Sequence, residues 1–274
     1  MRHMTTDPLM LLILVFVGLL AGMFGGLIGT GGCSIMLPIL DFYIYGGKDT
    51  ALAIGTTIFA VIFTTLSGAY GHLKIRNLDV KSTKWLASGG AMGAVVGSIM
   101  FWYLKGQLIW LWLILGLVFI LPSIRMIYEG ALKKGPAKPS GESWLGGEIP
   151  GNPYNKTVFG FIIGLTTGLV GLGGGYALVP GLIYLFGAPV HVTMGTSLAT
   201  MIPLAIISAS FKAYSGDIDF GAGIALAIGT IIGAQIGARL IKRFSPWALK
   251  LIFGAYFLYV SIKYLGKAIG IPIP

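Results

Sequence analysis

The sequence has little charge, few acids and almost no cysteine. Only 10% of its 274 residues are charged, against roughly 25% in an average soluble domain. Too few polar side chains are present to cover a water-exposed surface. The single cysteine, Cys33, excludes an intramolecular disulfide and a multi-cysteine metal site. The three histidines, His3, His72 and His191, are far apart in sequence, and neither a His-Glu-x-x-His pattern nor a pair of acids on one segment occurs. No catalytic set is therefore expected, and neither a metal nor a cofactor.

What fills the chain is apolar. Hydrophobic residues make up 55% of it and the mean hydropathy is +0.87. Runs of roughly 20 apolar residues, long enough for about 30 Å of hydrocarbon, recur from Pro8 onward. These runs are continuously apolar, unlike the alternating strands of an outer-membrane barrel. The run from Leu9 to Leu20 continues into Gly-rich sequence without an Ala-x-Ala cleavage pattern and reads as a first span rather than a leader. The net charge of +10 sits in short loops between spans rather than on one soluble face. It points to membrane topology, with Lys and Arg retained on the cytoplasmic side, and not to nucleic acid.

Apolar segments fall at about 9–28, 33–46, 51–73, 85–104 and 107–128, then at about 155–172, 174–187, 190–211, 219–241 and 246–266. Between the two sets lies a stretch rich in Gly, Pro, Ser and charge, which reads as a linker. The division expected is a first repeat over 1–130, a cytoplasmic linker over 131–154 and a second repeat over 155–274.

The two sets resemble each other. At a spacing of 142, Gly26, Gly29, Gly31, Gly32 and Pro38 meet Gly168, Gly171, Gly173, Gly174 and Pro180. At a spacing of 140, Gly55 and Thr56 meet Gly195 and Thr196, and Gly93 and Gly97 meet Gly233 and Gly237. Matches at nearly one spacing argue for an internal duplication.

Charge sets the orientation of the copies. Lys74, Arg76, Lys81 and Lys84 fill the loop between the third and fourth segments of the first copy, whereas the next loop has only Lys105. In the second copy the earlier loop holds Lys212, Asp217 and Asp219, and the later one Arg239, Lys242, Arg243 and Lys250. Equivalent loops thus lie on opposite sides of the membrane. The fold class expected is an all-α polytopic membrane protein of two inverted repeats, each with five segments: about four full spans plus a short, Gly-interrupted helix. Both termini would be outside, and the linker with Lys133, Lys134 and Lys138 in the cytoplasm.

Glycine is a poor interior helix former, yet it clusters in GGLIGTGGCSIMLP and in GLVGLGGGYALVP. Paired Gly-interrupted segments in corresponding positions of two halves are the best sequence pointer to a transporter's binding site. A half-helix restarting after such a break presents free N–H groups and a positive dipole end, which suits an anion. Candidate substrate ligands are Gly29, Thr30, Gly31, Gly32 and Cys33 in the first stretch, with Gly171, Gly173, Gly174 and Gly175 in the second. Hydroxyls of Thr56, Thr57, Thr196 and Ser197 lie beside glycine early in the third segments, and His72 and Lys212, matched at the spacing of 140, offer positive charge. Gln235, between Gly233 and Gly237, is either a ligand or a bond between helices. For Gly93, Gly97, Gly233 and Gly237 close helix packing is the favoured role. Cys33 is expected to be inert small packing, and Asp41, near a segment end, to be a solvated acid.

These paired Gly-x-Gly-Gly stretches, each followed by a proline, together with the Gly-Thr pairs of LAIGTT and VTMGTSLA and the short central loop, resemble the TauE/SafE sulfite exporters, the TSUP transporters. The resemblance covers nearly the whole chain. It implies secondary transport of small sulfur-containing anions, such as sulfite, thiosulfate or sulfonates like sulfoacetate, in the cell (inner) membrane. Export is the direction favoured by the cell's negative interior, at about 2.3 kcal/mol per charge per 100 mV. An anion channel is the alternative, and an intramembrane enzyme a weaker one. The partners expected are the anion and the bilayer. Lipid-facing and subunit-facing helices look alike in sequence, which leaves the oligomeric state open.

Overall fold

The computed structural model describes residues 7–132, 148–240 and 246–271. Lys133, Lys134, Lys138, Lys242, Arg243 and His3 lie outside the described residues, as do the side chains of His191 and Lys250. The described residues form an all-α chain: α1 (Pro8–Ile28), α2 (Cys33–Pro38, continued by a π-turn over Ile39–Ile44), α3 (Thr50–Lys74), α4 (Val80–Leu104) and α5 (Leu108–Leu132), then α6 (Pro153–Val170), α7 (Gly175–Phe186), α8 (Val190–Tyr214), α9 (Phe220–Leu240) and α10 (Pro246–Ala268). Six of them, α1, α3, α4, α5, α8 and α9, are long and apolar enough to cross a membrane.

Local chemistry sets the starts. Asp7 caps α1 by accepting from the Leu9 N–H at 3.1 Å, and Asn152 caps α6 by accepting from the Tyr154 N–H at 3.0 Å, each ahead of a proline in the first turn. Proline there loses no helical hydrogen bond. Pro38 and Pro180 lie inside α2 and α7, where each removes a backbone donor.

Two compact units divide the chain. The larger comprises residues 1–102 and 143–241, the smaller residues 103–142 and 242–274. In the smaller, α5 packs on α10. Phe119 stacks on Tyr264 with ring centroids 6.3 Å apart, and the Ser261 hydroxyl donates to Gly116 O at 2.7 Å.

In the larger unit, glycine lets backbones touch. A Cβ on Gly22 of α1 would lie 2.5 Å from Thr230 O of α9, and one on Gly26 would lie 2.5 Å from Ala234 O. From the other side Gly233 and Gly237 face Leu19 and Met23. The same interlock joins α4 to α6: Gly93 and Gly97 meet Phe161 and Leu165, while Gly160 and Gly164 meet Leu86 and Gly90. All four glycines assigned to packing from sequence therefore pack. Outside these seams Leu12 and Phe16 of α1, Met92 of α4, Ile162 of α6 and Ile224 of α9 are exposed. Such apolar faces are poorly suited to water and well suited to lipid.

Candidate functional site

Two helix breaks lie at the heart of the larger unit. Gly29 caps the end of α1, and Gly29, Gly31 and Gly32 all have positive φ before Cys33 restarts the helix; Gly171 caps the end of α6, and Gly171, Gly173 and Gly174 repeat that conformation before Gly175. Any other residue is strained at these positions. Each restarted stretch, Cys33–Ile44 and Gly175–Phe186, is short and apolar. Twelve residues rise about 18 Å, roughly half of what a bilayer requires.

The breaks touch each other. The Cys33 thiol donates to Leu172 O of the opposite loop. A Cβ on Gly175 would come within 2.5 Å of Thr30 Cα and 2.7 Å of Gly29 O, so only glycine permits the approach. Their backbone donors are left over. The N–H groups of Gly31 and Gly32, and of Gly173, Gly174 and Gly175, make no hydrogen bond among the described residues. Buried N–H groups without a partner are rare. Five in two adjoining loops make a donor-rich patch that an acceptor-only ligand would satisfy.

The hydroxyl candidates differ in placement. Ser197 donates to Gly29 O at 2.9 Å, which brings it onto the first loop, and Thr57 is buried with its hydroxyl unpartnered. Thr56 and Thr196 bond distant helix starts instead: Thr56 Oγ1 accepts from the Asp219 N–H at 2.9 Å, and Thr196 Oγ1 from the Asp79 N–H at 3.0 Å. The two basic side chains also match. His72 Nε2 lies 3.1 Å from Gly26 O and Lys212 Nζ donates to Gly168 O at 2.6 Å, each at the last turn of a helix that leads into a glycine loop. Positive charge is favourable at that helix end. Both side chains are fully buried, so Lys212 packs inside the protein rather than reaching its surface. Gln235 is placed apart from the loops, its amide donating to Ser67 O of α3 at 2.8 Å.

Asp41 corrects a sequence expectation. It is fully buried rather than solvated, with Oδ1 accepting from the Thr50 hydroxyl at 3.0 Å. The π-turn after Pro38 turns this carboxylate inward, and hydropathy around residue 41 carries no sign of that turn.

Sequence reasoning missed Met201 and Val61. The Met201 methyl would lie 2.7 Å from a Cβ on Gly31, and Val61 Cγ1 would lie 3.2 Å from a Cβ on Gly173. These residues pack on both loops and are 140 apart, so the repeat spacing was the available signal. A second omission was an ionic cluster beside the described end of the linker. Asp79 Oδ2 accepts from Ser82 Oγ at 2.6 Å and from the Ile149 N–H at 2.8 Å, while Lys156 Nζ donates to Ser82 Oγ at 2.8 Å and Ile149 O at 2.6 Å. Burial pushes the Asp79 carboxyl up, but the bonds from Ser82 and Ile149 and the Lys156 charge outweigh it and hold the group below the usual carboxylate range. Among the described residues, no three His, Cys, Asp or Glu side chains gather as metal ligands.

Comparison with known proteins agrees with a membrane transporter. The family model described as "Sulfite exporter TauE/SafE" matches residues 14–264. The chain is similar to the probable membrane transporter proteins YunE (26% identical, covering 94% of this chain and 98% of the relative) and YjnA (27% identical, 91% and 98%), both of Bacillus subtilis (strain 168). It is also similar to a probable membrane transporter protein of Xylella fastidiosa (strain 9a5c), at 26% identity over 94% of this chain and 96% of the relative. No solved structure matches. An all-α, multi-pass chain with the paired glycine breaks, matched by the family model from residue 14 to 264, belongs to the TauE/SafE sulfite exporter family of membrane transporters.

Proposed function

We propose that the protein is a secondary transporter of small sulfur-containing anions, sulfite, thiosulfate or an organosulfonate, that works by alternating access around the two glycine loops. The observation that carries this reading is the set of five unpartnered N–H groups at Gly31, Gly32, Gly173, Gly174 and Gly175. An oxyanion accepts several such bonds at once, and bonds to a charged acceptor are the stronger kind. Thr57 and Ser197 add hydroxyls from α3 and α8, and His72 and Lys212, bonded to the last turns of α1 and α6, place two basic side chains beside the loops. The relatives' printed names support a transporter rather than an enzyme.

Reciprocal contacts support two inverted repeats. Thr56 with Asp219 and Thr196 with Asp79 form the same bond with the partners exchanged, and α1 on α9 repeats α6 on α4. Two halves so related can rock about a fixed central site. Export follows the membrane potential without a coupled ion.

Counterflow of labelled sulfite into liposomes holding the purified protein, with thiosulfate, sulfoacetate, sulfate and chloride as competitors, tests the substrate class. Exchange blocked by one or two sulfur anions is expected. Exchange of none of them, or unitary currents without counterflow, would contradict the reading.

A further inference from the structure

Lys212 is a fully buried lysine whose hydrogen bonds go to neutral groups: Gly168 O at 2.6 Å and Ser208 Oγ at 3.0 Å. Asp217, in the turn after α8, attracts it electrostatically. Its Nζ also lies 4.3 Å from the centroid of the Phe101 ring. Phe101 in turn lines a cavity of about 110 Å³, with Ser98, Trp102, Phe211, Tyr214 and Ser215. Phe101 is buried, whereas Trp102 is half-exposed and Tyr214 is 86% exposed, so the cavity has an aromatic floor and an open aromatic rim.

Ser98 supplies the second observation. Its hydroxyl lines this cavity, is buried, and has no hydrogen-bond partner among the described residues. A buried hydroxyl in that state signals a missing partner. A belt of interfacial aromatics explains Trp102 and Tyr214 but not an orphaned serine beneath them.

We propose that this cavity binds a small organic anion, whose acidic head accepts from Ser98 and is drawn by Lys212, and whose carbon body lies on Phe101, Trp102, Phe211 and Tyr214. The inference rests on the anion-transport reading of the glycine loops and adds a second station to it. Lys212 connects the two, since the carbonyl it bonds belongs to Gly168, three residues before the loop opens at Gly171. A bare inorganic oxyanion would lose its hydration here for one hydroxyl and aromatic walls, a poor exchange. A carbon body gains from those walls. The volume equals about four waters at about 30 Å³ each, the scale of a two-carbon sulfonate and too small for a phospholipid.

The test is equilibrium binding of labelled sulfoacetate to the purified full-length protein, beside counterflow of sulfoacetate and of sulfite in liposomes. Ser98→Ala should weaken sulfoacetate binding and raise its counterflow KM about tenfold, the loss of one hydrogen bond to a charged group. The KM for sulfite should stay within about twofold. Tyr214→Leu, at an exposed position that folding does not depend on, should weaken sulfoacetate binding about threefold through loss of its aromatic contact. Wild-type sulfoacetate affinity in both variants would overturn the site, as would no sulfoacetate binding by the wild-type protein or a purified phospholipid that is lost with Ser98→Ala. Binding that depends on Ser98 without counterflow of either anion would leave the site standing and sink the transport reading. Counterflow that ignores both substitutions would do the reverse.

Discussion

The backbone N–H of Asp79 donates to Thr196 Oγ1 over 3.0 Å, joining residues 117 apart in sequence. Its counterpart, Asp219 N–H to Thr56 Oγ1 at 2.9 Å, is the same bond between residues 140 away from the first pair, with the order along the chain exchanged. Each bond fixes the start of one helix, α4 or α9, to the flank of another, α8 or α3. Thr56→Val or Thr196→Val removes the acceptor and leaves a backbone donor without one, at a cost of about 1–3 kcal/mol. Thermal unfolding in detergent should show the two losses to be similar, and additive in the double variant because the bonds share no partner. A double variant no less stable than either single one would contradict two independent bonds.

Close packing of α1 on α9 makes a second prediction. Gly22→Leu needs room where a Cβ alone meets Thr230 backbone atoms at 2.5 and 2.6 Å. The helices must separate, costing more than the about 1–3 kcal/mol of ordinary overpacking. Size-exclusion profiles should lose the monodisperse peak, whereas Met92→Leu on the exposed face of α4 should keep it.

The Asp79 cluster should make stability acid-sensitive. Folding lowers this carboxyl below its ordinary value of 3.8. Its stabilisation is therefore complete above that value and is lost as pH falls toward the lower folded one. In a series from pH 6 to pH 3, the Tm of the wild-type protein should fall more steeply below about pH 4 than that of Asp79→Asn. Parallel curves would mean that the carboxylate is not held by Ser82, Ile149 and Lys156.

His72 holds Gly26 O at 3.1 Å. Glutamine can donate to the same carbonyl and alanine cannot, so His72→Ala should cost about 1–3 kcal/mol and His72→Gln much less, read as Tm. Equal losses would show that shape at this position matters more than the hydrogen bond.

Much of this architecture was legible because lipid demands long apolar runs and because residues matched at nearly one spacing mark corresponding positions. The segment read at 33–46 became a helix over Cys33–Ile44, and that read at 174–187 became Gly175–Phe186. The glycine seams and the two helix breaks were legible for the same reason, since glycine in a bilayer helix needs a cause. Side-chain destinations were not. Nothing local separates Ser197, which reaches the Gly29 carbonyl, from Thr196, which bonds a distant helix start. The burial of Asp41 was not legible either, since it lies in a π-turn after Pro38 that local hydropathy does not signal. Met201 stayed hidden because an apolar residue in an apolar helix has no contrast with its neighbours.

The claim that the two glycine loops hold the anion is tested most directly by counterflow of sulfite with Gly31→Ala and Gly174→Ala, beside Gly46→Ala. All three glycines have positive φ, but a Cβ at Gly31 meets the Met201 methyl and one at Gly174 meets Thr167 Oγ1 at 2.9 Å, whereas Gly46 has nothing within 4 Å. The backbone strain of about 1–2 kcal/mol is thus common to the three, and only the loop variants disturb the unpartnered N–H groups. Counterflow lost in both loop variants and kept in Gly46→Ala, with all three recovered as folded protein, is the expected result. Wild-type counterflow in Gly31→Ala and Gly174→Ala would contradict the site.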